Sequence, residues 1–228
     1  MPGDAPNLAD LRRTAATFNG FANVDTTWLR LVEDTRPAID LARADHRTML
    51  LRWLNSWGCR IRYPREGEPA PFDSGVSAWW QTWRPALPQA GIARLTDAEI
   101  DAVAAAYAEL AATAVAAGRV RRTLGPTAAA KALYALRPTT VMPWDAAIAT
   151  RLHGSRDGAA FARHQRLGRA WASAVVAEAG ADETAVPAIV GRPAVSLAKV
   201  LDEYLYVTIT MPGTGTRGRE ESGRGHGG

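Results

Sequence analysis

The stretch from Leu124 to Leu152, LGPTAAAKALYALRPTTVMPWDAAIATRL, constrains the fold more than any other part of the chain. Pro126, after Gly125, and Pro143, ahead of Asp145, stand where a helix start tolerates proline, because a first-turn proline gives up an N–H that has no partner there anyway. The spacing predicts a first helix over roughly 127–136, a break at Arg137 and Pro138, an extended run over 139–142, and a second helix from Pro143 through Asp145, Ile148 and Leu152 to Gly154. Short, sharply bounded helices of this kind do not build an alternating βα sheet, and no GxGxxG, phosphate-loop motif or internal repeat occurs.

The rest of the chain follows the same pattern. Thr96 and Glu99 form a capping box, with Asp97 beside them, for a helix running through Ile100, Val103, Tyr107, Leu110 and Val115 to Gly118. Asp157 caps a long helix closed by Gly180, and Pro193 or Ser196 opens a last one whose β-branched, aromatic end at Tyr204–Thr210 is balanced between helix and strand. Two helices are predicted over 24–33 and 37–57, a short one over 74–83, and a proline-rich loop over 59–74 that is long enough to act as a lid or a binding arm. Residues 1–8 and 211–228 carry too few apolar side chains to offset the entropy of ordering and are expected to be disordered. The expected fold is therefore mainly α, a helical domain over 9–210 formed as one unit or as two helical lobes.

Composition excludes several classes. A single Cys59 rules out a disulfide within the chain, and the four scattered histidines show no ligand spacing, so neither a metal nor a cofactor is expected. His46 and Cys59 read as buried fillers, and Asp202 and Glu203 as salt-bridging members of the terminal helix. No segment approaches the ~20 apolar residues of a membrane span, and the N-terminus lacks the pattern of a secretory signal, so a cytoplasmic protein is expected.

Charge is distributed unevenly. Between Arg119 and Arg169 ten basic residues face only Asp145 and Asp157, a local charge of +8 in a chain of net +4. Arginine abundance reflects base composition, since only Lys131 and Lys199 are lysines, but its clustering points to a polyanionic partner.

The order of a glycine turn, a helix of small residues, a break and an aspartate leading a new helix resembles the helix-hairpin-helix base-excision DNA glycosylases over about 30 residues, Leu124 to Leu152. The run WDAAIATRL around Asp145 is similar to that family's V-D-x-x-V-x-R-hydrophobic pattern. The resemblance implies duplex DNA as partner, Asp145 as the catalytic carboxylate of a DNA-repair hydrolase, and a hairpin that presents Gly125 to a phosphate. It also implies nucleic-acid contacts from Arg119, Arg121, Arg122, Thr127, Lys131 and Arg151. The lysine that forms a Schiff base in bifunctional members falls at Thr127 by this spacing, which implies a monofunctional reaction. Such a reaction needs a carboxylate to meet oxocarbenium charge on the sugar and a base rotated from the stack, for which Trp144, Trp79, Trp80 and Trp83 are candidate stacking residues.

Two other readings fit the same residues. Asp145 is also an ordinary helix-leading acid and the tryptophans ordinary core, which leaves a non-enzymatic helical module that docks a protein partner through its Trp-rich segment. A small-molecule enzyme built on Asp145 with Trp79, Trp80 and Trp83 lacks a second catalytic group.

Overall fold

The computed structural model describes residues 5–20, 22–65, 67–68, 70–116 and 122–211. Its α-helices are α1 (Leu8–Phe18), α2 (Ala22–Asp34), α3 (Ala44–Ser56), α4 (Pro71–Trp83), α5 (Asp97–Ala112), α6 (Pro126–Leu136), α7 (Ala146–His153), α8 (Gly158–Ala179), α9 (Val186–Ile189) and α10 (Leu197–Leu205). A two-stranded hairpin, β1 (Ala114–Ala116) with β2 (Arg122–Thr123), stands between α5 and α6, and the chain leaves α10 through a π-helical turn, Tyr206–Thr210. The fold is mainly α, and its buried apolar side chains form one continuous cluster reaching from Leu11 to Leu205.

The capping logic holds where it was expected. Thr96 accepts from the Glu99 N–H while Glu99 reaches back to Thr96, Asp157 accepts from Ala160, and Gly180 closes α8 in the left-handed region at φ 57°. Asn7 and Asp10 form a second capping box, so Leu8 already belongs to a helix at the edge of the stretch expected to lack structure. Ser196, not Pro193, caps α10 by accepting from Lys199. At Tyr204–Thr210 helical geometry wins over strand, because no neighbouring strand is present to pair with it among the described residues.

Other boundaries move for local reasons. Helix α3 starts at Ala44 and not Pro37, since Asp40 donates its N–H to His46 Nδ1 and accepts from Ala42, holding 37–43 as a turn that still buries Leu41. Pro71 becomes the first residue of α4, which shortens the proline-rich loop. Helix α5 stops at Ala112 and does not reach Gly118, because Thr113 turns extended and its carbonyl accepts from Leu124 at 2.8 Å. Pro143 and Trp144 precede α7 as extended chain, and Asp145 is its N-cap.

Helix α6 is the buried axis of the molecule. Its alanines 128, 129, 130, 132 and 135 are buried together with Leu133, Tyr134 and Leu136, so α3 and α5 pack directly upon it. Helix α8 packs along α5, where Gly158 lets the Ala104 carbonyl approach to 3.2 Å of the position a Cβ would take.

Candidate functional site

Asp145 is half-buried with both carboxylate oxygens engaged. Oδ1 accepts the Ile148 N–H at 2.8 Å, capping the start of α7, and Oδ2 accepts the Thr210 hydroxyl at 2.8 Å from the C-terminal π turn. A carboxylate offers about four lone-pair sites, so these two bonds orient the group and leave capacity for another partner. Behind it, fully buried His164 donates from Nε2 to the Pro143 carbonyl at 3.1 Å, which assigns its Nδ1 as the acceptor for His153 Nε2 at 3.2 Å. Burial, with His153 adjacent, lowers the pKa of His164 to about 3, so it holds the Pro143–Asp145 segment as a neutral ring.

The chain's two lysines meet at one place. Lys131 and Lys199 lie 5.5 and 5.0 Å from the centroid of the Trp57 ring, and Lys131 also donates to the Trp57 carbonyl at 2.6 Å. Burial lowers the pKa of Lys131, while the charges of Asp202 and Asp145 pull the other way. Burial also disfavours the charge of Lys199, but Asp202, at 2.6 Å, and Glu203 overcome it and raise that pKa. Burial thus loosens the hold of Lys131 on its proton, while the neighbouring acids tighten that of Lys199.

The lysines belong to a balanced ionic network. Arg192 makes a two-pronged bond to Glu203 at 2.9 and 2.8 Å, with the side chains only 5% and 1% exposed, and a third bond to Asn19 at 2.8 Å. Among the described residues, Lys131 and Lys199 with Asp202 and, at longer range, Asp145 bring the cluster to three groups of each sign. Asp202 pairs within the terminal helix as expected, with Lys199, but Glu203 pairs with Arg192 ahead of that helix, and both acids are buried.

A basic cavity opens beside this network. Its volume is about 300 Å³, and it is lined by Cys59, Arg60, Ile61 and Arg62 of the α3–α4 loop and by Val115, Ala116, Arg122, Thr123 and Leu124 of the hairpin. Cys59 links it to the lysines, since the Lys131 charge reaches the Cys59 thiol, which burial pushes up.

The structure redistributes the residues expected to act. Lys131 turns inward to Trp57 and is not a surface phosphate contact. The Gly125 N–H, expected to face a phosphate, donates to the Ala111 carbonyl at 3.0 Å, although the residue keeps the turn geometry at φ 80°. Arg122 lines the cavity, Thr127 is half-buried in the first turn of α6, and Arg151 stands exposed in the last turn of α7, where its charge suits the helix end. Arg119 and Arg121 lie outside the described residues.

Trp144, Trp79 and Trp80 are core residues, at 1%, 3% and 3% exposure, so none is placed to stack on a base, and half-buried Trp83 donates to Glu109 at 2.8 Å. Part of the local +8 is also cancelled: Arg166 and Arg169 pair with Asp97 and Asp101 across the α5–α8 contact. Cys59, Arg60, Arg62 and Lys199 were not anticipated at a site, and the only signal for Lys199 was lysine scarcity itself.

Among the described residues no group of three or more His, Cys, Asp or Glu side chains is arranged to hold a metal, and no helix is long and apolar enough to cross a membrane. No family model, curated protein or solved structure matches this chain.

Proposed function

We propose that this protein binds DNA and cleaves the glycosidic bond of an extruded base, with Asp145 as the carboxylate that meets positive charge on the sugar. The supporting observation is the oriented Asp145 carboxylate, fixed by the Ile148 N–H and the Thr210 hydroxyl with lone-pair capacity left over, in a fold that also builds an arginine-lined cavity. As the base leaves with the bonding electrons, water attacks the sugar carbon and gives up a proton to Asp145.

The test uses duplex oligonucleotides carrying oxidised, alkylated or deaminated bases. The protein is expected to bind with affinity that falls steeply between 50 and 200 mM salt, on the order of 10³-fold for six phosphate contacts, and to release one of these bases. Asp145→Asn should abolish release and leave binding intact. Salt-insensitive binding, or release by the variant at the parent rate, refutes the reading.

A further inference from the structure

The loop between α3 and α4 carries the one described non-glycine residue at positive φ, Arg60 at 53°. Such a conformation is disfavoured for a side chain with a Cβ and persists where the surrounding structure holds it in place, often at a binding surface. Arg60 lines the 300 Å³ cavity together with Arg62 of the same loop and Arg122 of the hairpin. Arg62 is paired with Glu68 at 2.9 Å, but neither Arg60 nor Arg122 has an ion-pair partner among the described carboxylates. Three arginines thus border one cavity with no acid in its lining, and its other walls include the apolar Ile61, Val115, Ala116 and Leu124.

Arg62 is shared with a second, smaller cavity of about 160 Å³ lined by Tyr63, Pro64, Phe72 and Val115. Tyr63 is 49% exposed, the one large aromatic of the described residues that stands so far out of the core. Guanidinium forks match the oxygens of a phosphate, and an exposed aromatic face matches a nucleobase. An isolated phosphate has no use for the ring, whereas a nucleotide within a strand presents both chemistries at adjacent points.

We propose that Arg60, Arg62 and Arg122 hold a backbone phosphate of an unpaired nucleic-acid strand whose neighbouring base stacks on Tyr63. The identity of the occupant rests on the nucleic-acid reading above, whereas the grouping of arginines around one cavity does not. On this account the proline-rich loop is a binding arm.

The strained backbone supplies the test. Arg60→Gly removes a guanidinium and relieves the positive φ, so its melting temperature should equal or exceed the parent's while its affinity for a fluorescent single-stranded oligonucleotide falls at least about tenfold. Its slope of log affinity against log salt should also shrink by about 0.7. Arg122→Gln, on the hairpin, should act the same way, and Tyr63→Ala should weaken binding with the salt slope unchanged. Unchanged affinity and slope in folded Arg60→Gly and Arg122→Gln overturn the proposal. Displacement of the oligonucleotide by AMP at equal phosphate concentration, with Tyr63→Ala inert, also overturns it by assigning the cavity to a free phosphomonoester. Retained strand binding without any base release leaves this inference standing and removes only the excision chemistry.

Discussion

The neutral His164 behind the Asp145 segment makes stability depend on pH in a calculable way. In the unfolded chain its imidazole has the ordinary pKa of 6.5, and in the fold burial lowers it to about 3. Between these values the unfolded state binds a proton that the native state refuses, so stability rises with pH across the window and is lost as pH falls from about 6.5 toward 3. Integrating the two titrations, the His164 contribution costs about 2 kcal/mol at pH 5 and about 3 kcal/mol at pH 4, relative to pH 8. Urea unfolding of the parent and of His164→Gln at pH 8 and pH 5 measures this directly. The glutamine amide can still donate to the Pro143 carbonyl but does not titrate, so acid-induced loss should be about 2 kcal/mol smaller in the variant. Titrating groups other than the bonded His153 act alike in both proteins and cancel. Equal losses in the two would show that His164 accepts its proton at an ordinary pH and that the Pro143 segment is not held by a neutral ring.

Two further outcomes follow from the ionic network. Glu203→Ala removes the two-pronged partner of the buried Arg192 guanidinium and should cost about 3–5 kcal/mol in urea unfolding, whereas Arg192→Met with Glu203→Leu should restore at least half of it. Because the Lys131 charge lowers the proton affinity of Cys59 against the effect of burial, Lys131→Met should slow alkylation of that thiol by iodoacetamide at pH 8. Unchanged alkylation would separate Lys131 from the cavity.

The elements most readable from sequence were those whose causes are local. The Thr96–Glu99 box, the Asp157 cap and the Gly180 stop each act within one helical turn, and so does the role of Asp145 as a helix-leading acid. What failed depended on partners far along the chain. The hairpin that shortens α5 forms because Thr113 pairs with Leu124, and Arg166 and Arg169 are neutralised by acids 65 to 72 positions away. The meeting of Lys131 and Lys199 at Trp57 brings three helices together, and no periodicity encodes it. Arg60 was invisible for another reason: a left-handed backbone is anticipated at glycine, and nothing in the residue type announces it at arginine.

Asp145→Asn tests most directly whether the carboxylate ahead of α7 exists for chemistry. The amide can still accept the Ile148 N–H and exchange a hydrogen bond with the Thr210 hydroxyl, so the variant should melt close to the parent temperature. In single-turnover assays with a DNA duplex carrying the excised base, release should nevertheless drop by at least about a hundredfold. Release at the parent rate from a stable Asp145→Asn protein would contradict the account.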